Sequence, residues 1–548
     1  MVRGHPPRRR RAALAGVAAI AAACLLGMAS LWAWESTAPH DLGGVGIHPV
    51  AANGTTVSKG SFATYLGNNH RTDSLGTSTP VVLSAVSAPT PLWNFTAGGS
   101  VYSEPIVRKN VVYFGATDGY EYAVSAVTGS LVWKTFIGLD TVDTNCSSRP
   151  VGVTSTGAVA GARLIVSGGT SRVYSLNLQT GRIMWNVSAG GAPSAGFYLW
   201  ASPLVLNGSA YIGIASRCDK PLVPAGLERL SLTGGKELAF FNSSTPNPNG
   251  SSIWASPSLS TNGSTIFVTT GNPYRELASV YGESIIALNA STLSVQHVWQ
   301  VPSSEVVGDG DFGATPTVYT LPNGTGAVAA ENKNGYLYAW SASHLTLLWS
   351  TQLSDSDDDH FSAASASGKL FAIGETTEFD GVNYTSSLSS VNDRSGAVVW
   401  RDYFNQSVRP TYDAPLYVDG LLVVPMGSIV YFVKASSGQV LSSVTPGGSL
   451  VAPISVADGV LFVGSGSQLV AYSVPGLGSD SARTISEAAP ESPSVGPASF
   501  GAGVLALPTT ISARTARNFG TSWPPAGSGR TGKFVPGPGG TANEGRLQ

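Results

Sequence analysis

Five polar residues sit in turn-like segments where their chemistry would be usable. Asn272 lies in TTGNPY, Asp309 and Asp311 in GDGDFGATP, Lys333 in ENKNGYLYAW and Asp219 in SRCDKPLV. Carboxylate and amide oxygens suit a hard divalent cation. A carboxylate can take the proton of a hydroxyl group, and a lysine can hydrogen-bond an electron-rich oxygen. Taken singly, each residue also has a plainer reading. Asn-Pro and Asp-Gly pairs form turns, and Lys333-Asn334-Gly335 reads as a hairpin turn. Only an architecture that carries these loops to one place would make them a site.

Other signals are weaker. Gly308-x-Gly310-x-x-Gly313 matches a dinucleotide fingerprint, but it precedes a strand and offers no helix N-terminus to a pyrophosphate. The run Asp355, Asp357, Asp358, Asp359 and His360 lacks the glycine and distal glutamate of a calcium loop and reads as solvated. The seven histidines show no metal-ligand spacing. No Gly-x-Ser-x-Gly elbow of a hydrolase occurs.

The elements that must position the five residues come from a repeat. A small residue and a proline are followed by a hairpin, a Tyr/Leu-rich strand, a Thr-Gly-type turn and a tryptophan. The first copy contains Pro105, Thr128, Gly129 and Trp133. The proline is read again at Pro150, Pro203, Pro257, Pro316, Pro415 and Pro453. Trp133, Trp185, Trp299, Trp349 and Trp400 are read as one repeat position, with Leu238 standing there in the third copy. Four-stranded repeats at this period predict an all-β propeller, since one blade cannot bury its own faces. The tryptophans are expected to pack between blades. The last copy, 449–474, lacks its fourth strand, and Pro91–Phe95 reads as that strand displaced to the other end. Joining them closes an eight-bladed ring with no free edge; seven blades is the alternative. In either ring the B–C and D–A loops, which carry the five polar residues, share one face.

The strands GYEYAVSAVTG, GYLYAW and SIVYFVKASSG, followed by GSLVW, GRIMW or GAVVW, resemble the quinoprotein-type repeat of the pyrroloquinoline quinone (PQQ) propellers. The resemblance covers about 90–475. That family comprises dehydrogenases that oxidise alcohols or sugars with PQQ and a bound metal, and cofactor-free scaffolds such as the outer-membrane assembly propeller. The resemblance implies metal ligation by Asn272 and Asp219, with calcium or a lanthanide as the metal. It implies a catalytic base at Asp309 or Asp311 and contact of Lys333 with the quinone oxygens. An external electron acceptor and a small alcohol or sugar substrate would follow. The chain departs from the dehydrogenases in having no adjacent Cys-Cys pair and no Cys-x-x-Cys-His haem motif.

Bulk properties frame this reading. Only 12% of the 548 residues are charged and the net charge is −2, so no basic field exists to hold nucleic acid. Arg3 and Arg8 to Arg11 precede the uncharged stretch Ala12–Trp34, which is ended by Glu35. Residues 1–35 are therefore expected to form a transmembrane anchor or a cleaved signal. The propeller would lie outside the cytoplasm, either on the cell membrane or secreted. Residues 36–89 read as linker and lead-in, and 476–548 as a disordered tail rich in Pro, Gly and Ser. Cys146 and Cys218 are expected to form a disulfide after export. Twelve Asn-x-Ser/Thr sequons, against roughly five by chance, also suit an exported chain.

Overall fold

A computed structural model describes residues 62–477, apart from 78–79, 143–149, 220, 274–278, 356–360 and 409–413. The expected N-terminal membrane segment, the C-terminal tail and Cys146 lie outside the described residues. No helix among the described residues is long and apolar enough to cross a membrane.

Eight antiparallel sheets form the eight blades of a propeller, so the seven-bladed alternative does not hold. Blade 1 is Ile106–Arg108, Val111–Gly115, Tyr120–Ser125 and Leu131–Phe136, its strands A to D. The ring closes as the sequence predicts. Thr90–Thr96 is the outer strand of blade 8, paired antiparallel to Gln468–Ser473 from Thr90 opposite Ser473 to Thr96 opposite Gln468. Several A–B turns are two-residue hairpins. In Asn207-Gly208, Asp419-Gly420 and Asp458-Gly459 both residues are left-handed, which selects Asn, Asp and Gly there.

The Thr-Gly turn and the tryptophan are two halves of one contact between blades. The Trp133 indole N–H donates to Leu178 O of blade 2, and a Cβ on Gly181 would lie 2.6 Å from the Trp133 ring. The same pairing joins Trp93 to Ala126 O and Gly129, Trp185 to Leu232 O and Gly235, Trp349 to Asp393 O and Gly396, and Trp400 to Ala435 O and Gly438. Each of these glycines has φ near +70° and so closes the turn without strain. Gly181→Ala is therefore expected to cost about 2–4 kcal/mol, from left-handed strain and overpacking together. Urea unfolding checks it; a loss below the error of the measurement would refute the contact's importance.

Two register assignments need correction. The strand pairing puts Ala239, not Leu238, opposite Arg229 in blade 3, and His297, not Trp299, opposite Ala287 in blade 4. Leu238 is exposed at 46%, whereas Trp299 still packs between blades, on Tyr338 and Trp340. Where the tryptophan is missing, the next blade's glycine is missing too. Leu293 and Leu345, both buried and left-handed, replace it.

The residue before the proline has a job of its own. Glu104 N–H donates to Thr156 Oγ1, Thr156 to Ser202 Oγ, Ser202 to Ser256 Oγ, Ser256 to Thr315 Oγ1 and Thr315 to Ser362 Oγ, at 2.8 to 3.1 Å. This arc of hydroxyls ties six blades around the axis. It also shows that Gly157, not Pro150, holds the repeat position in blade 2. Pro150 instead precedes a bridge between Val151 and Asp140.

The lead-in turns out to be an axial plug. Inner strands of a propeller leave backbone groups unpaired toward the axis, and buried groups must find partners. Residues 62–73 supply them blade by blade. Phe62 exchanges two bonds with Val107, Val159 N–H donates to Ala63 O, and the Asn69 side chain donates to Val205 O. Leu259, Val318, Ser365 and Tyr417 N–H groups donate to Asn69, His70, Thr72 and Asp73 carbonyls. Blades 1 to 7 are thus stitched in order. Ser74–Leu75 then adds a short parallel strand to blade 7.

Candidate functional site

The five polar residues converge. Asp219 follows strand B of blade 3 (Ser209–Ser216), Asn272 follows strand B of blade 4 (Thr265–Thr269), and Lys333 follows strand B of blade 5 (Gly326–Glu331). Asp309 and Asp311 lie between strand D of blade 4 (Val295–Gln300) and strand A of blade 5 (Thr317–Thr320). The propeller turns these loops to one face. Carboxylate oxygens of Asp219, Asp309 and Asp311 all lie within 4.8 Å of one another.

Asn272 and Lys333 hold the carboxylates together. Asn272 Nδ2 donates to Asp219 Oδ2 at 3.1 Å and to Asp309 Oδ1 at 2.5 Å. Lys333 Nζ lies 2.9 Å from Asp309 Oδ2 and 2.8 Å from Asp311 Oδ1. The Asp311 side chain is 6% exposed and that of Asp309 56%. Burial raises the Asp311 carboxyl to about 6 against the pull of Lys333, with Asp309 and Asp219 adding to the rise. Burial alone would lower the Lys333 ammonium, but Asp311 and Asp309 outweigh it and push it well up. Gly271 lets the chain pass: a Cβ there would sit 3.0 Å from Asp311 Oδ2.

Sequence reasoning missed the tryptophan in this cluster. Trp254 Nε1 donates to Asp311 Oδ2 at 3.0 Å, and Lys333 Nζ stands 5.4 Å from the Trp254 ring centre. Trp254 also lines an axial pocket with Trp200, Tyr102, Thr156, Ser256 and Thr315, at whose wall Tyr65 of the plug stands. The signal was present, because WASP occurs twice, at Trp200–Pro203 and Trp254–Pro257. The tryptophan of each copy reaches the axis because it precedes the hydroxyl arc by two residues.

The Asp219 loop is clamped from behind. Arg217 Nη1 makes a buried bridge to Asp140 Oδ2 at 2.6 Å and donates to Val142 O at 2.6 Å. Cys218 is disulfide-bonded, while its expected partner Cys146 is outside the described residues. The run after Asp355 is outside them as well; Asp355 itself caps Glu378 N–H.

The donor set suits a divalent or trivalent cation. Three carboxylates face one ammonium, so the ionised cluster is two charges short of neutrality. The ligand types are hard oxygens. Asn272 presents its amide nitrogen where the carboxylates meet; exchanging its amide N and O would offer Oδ1 there. Trp254 presents an aromatic face to the pocket, and Thr156, Ser256 and Thr315 line it with hydroxyls.

Comparisons with known proteins agree with this fold. The family model described as outer membrane protein assembly factor BamB matches residues 33–212. A polyvinylalcohol dehydrogenase of Pseudomonas sp is 23% identical over 354 residues, covering 56% of this chain and 54% of the relative. The chain thus spans about half the length of that relative. BamB of Shewanella oneidensis is 21% identical over 407 residues, covering 72% of this chain and 92% of the relative. Among solved structures, a europium-containing methanol dehydrogenase superposes with a TM-score of 0.62 at 15% identity, covering 74% of this chain and 90% of that one.

Proposed function

We propose that this chain, a propeller of the PQQ-type repeat, is an exported quinoprotein dehydrogenase that oxidises an alcohol or a sugar. The observation that carries the reading is the convergence of Asp219, Asn272, Asp309, Asp311 and Lys333 on one point beside Trp254. The dehydrogenase names among its relatives and structural neighbours support it.

Asp219, Asn272 and the buried Asp311 would hold calcium or a lanthanide. Bound PQQ with that cation would supply the two-electron oxidant. Asp309, the most exposed of the carboxylates, is placed to take the proton of a substrate hydroxyl. Lys333 offsets the repulsion between Asp309 and Asp311 and can donate to an electron-rich oxygen arriving over Trp254. Trp254 fixes Asp311 through its indole N–H and offers a flat apolar face. An external acceptor would remove the electrons, and the N-terminal segment would deliver the propeller outside the cytoplasm, anchored or released.

A second reading is a non-catalytic envelope scaffold. It is favoured by the BamB relative, most of whose length this chain covers. Titration of the full-length chain with PQQ plus calcium or lanthanum decides between them, followed by absorbance and calorimetry. The enzyme reading expects cation-dependent, near-stoichiometric binding that the double variant Asn272→Ala, Asp309→Ala loses at least a hundredfold. A folded protein that binds neither cation nor quinone would leave the scaffold.

A further inference from the structure

Blade 6 carries the two longest strands among the described residues. Its B and C strands, Lys369–Phe379 and Val382–Asn392, have 11 residues each, against six in blade 5. The extra five residues lengthen the hairpin by about 16 Å. As a B–C hairpin it rises on the face that carries Asn272, Asp309 and Lys333. Asp380-Gly381, both left-handed, turn its tip.

Its tip is apolar and exposed, above two half-buried tyrosines, Tyr384 and Tyr403. Phe379 is 52% and Val382 46% exposed. The Phe379 ring stacks on Tyr403 at 4.5 Å and 18°, and Tyr384 packs on the same Tyr403 at 5.0 Å. Isolated exposed apolar residues need no explanation, but two rings of a lengthened hairpin gathered on Tyr403 of strand D, on a site-bearing face, do.

The hairpin is built into the neighbourhood of the candidate site. Asp355 N–H donates to Thr376 O, and Glu378 N–H donates to Asp355 Oδ2. Asp355 follows Leu353 and Ser354, and Leu353 N–H donates to Gly335 O in the Lys333 turn. The ridge and the Lys333 turn are therefore joined through a few residues of backbone.

We infer that the Phe379–Tyr384–Tyr403 ridge is a subsite for a neutral glycan chain, binding sugar rings beyond the one presented to Asp309. The inference rests on the proposed dehydrogenase reading for its substrate direction. Pyranose rings offer C–H faces that lie flat on aromatic rings. Their hydroxyls would find Glu378, Asp380, Asn383 and Asn405, all exposed around the stack. Segment 376–385 contains no lysine or arginine, which disfavours anionic polymers.

The test is calorimetric titration of the full-length chain, without added quinone, with glucose, cellohexaose and maltohexaose. At least one hexaose should bind tenfold or more tightly than glucose. Phe379→Ala should lose that advantage and Phe379→Trp should keep it. Because Phe379 sits at an exposed tip, both variants should melt as the parent does. Hexaoses that bind no better than glucose, or a Phe379→Ala variant that binds them unchanged, would overturn the subsite. Failure here with successful PQQ titration removes only the ridge, whereas glycan binding without quinone binding removes only the enzyme reading.

Discussion

Lys333→Met is expected to destabilise the cation-free protein by about 3–5 kcal/mol, the usual cost of leaving a buried charge without its partner. Most of that cost falls on Asp311, whose side chain is 6% exposed, because Asp309 is solvated and its share is screened. The variant should recover on adding calcium or lanthanum, since a cation among Asp219, Asp309 and Asp311 replaces the charge that Lys333 supplied. It should bind that cation more tightly than the parent does. Thermal unfolding in chelator and in millimolar calcium reads both effects. Adding Asp311→Asn to Lys333→Met should restore stability without any cation. A Lys333→Met protein equally stable in chelator and calcium would refute the cation site.

Raising the pH from 5 to 8 should destabilise the protein, with Asp73 and Glu104 as the main cause. Both are buried at the axis, and among the described residues Asp73 has no hydrogen bond to either carboxylate oxygen, nor Glu104 to Oε1. Burial raises Asp73 well above its ordinary 3.8, and burial with Asp73 nearby raises Glu104 well above 4.5. Arg71 is the cation close by, lowered by burial to about 10 and so still charged. Its guanidinium is committed to Pro257 O, Pro203 O, Tyr65 O and Thr64 Oγ1. The remaining neighbour is Tyr65, whose phenol burial pushes well up.

The sign follows from linkage. A carboxyl raised in the folded state holds a proton that the unfolded chain has released. Its stabilisation is full below the ordinary carboxylate range and is lost as pH rises toward the folded value. Each proton taken up on folding gives a slope of about 1.4 kcal/mol per pH unit. Glu121, also raised well up by burial, Glu228, raised to about 7, and Asp311, raised to about 6, act in the same direction. Guanidinium unfolding at pH 5, 6.5 and 8 should show the fall, and Asp73→Asn should flatten it and stabilise the protein at pH 8. Stability rising with pH, or an unchanged slope in Asp73→Asn, would refute the axial pair. An acid-favoured core also matches the low charge content, which suits an acidic medium; unfolding at about pH 3 would argue against that.

The ring is written in the local repeat. Closure by Pro91–Phe95 and the shared face of the site loops followed from a local repeat, because strand alternation and turn chemistry are local properties, whereas eight blades rather than seven came from the structure. The order Asp219, Asn272, Asp309, Lys333 was legible for the same reason, since each lies a fixed step from a recognisable strand. Only the tertiary structure decided what fills the axis. Nothing local in Phe62–Leu75 says that its backbone will satisfy the inner strands of seven blades, because those partners are separated by up to several hundred residues of chain. The same holds for Trp254, whose indole meets Asp311 only across two blades. It holds too for His297 and Ala239, which stand opposite Ala287 and Arg229 where the other blades place a tryptophan. Long-range pairing and single-residue register are set by the packing of whole blades, and a linear reading of strand periods does not contain them.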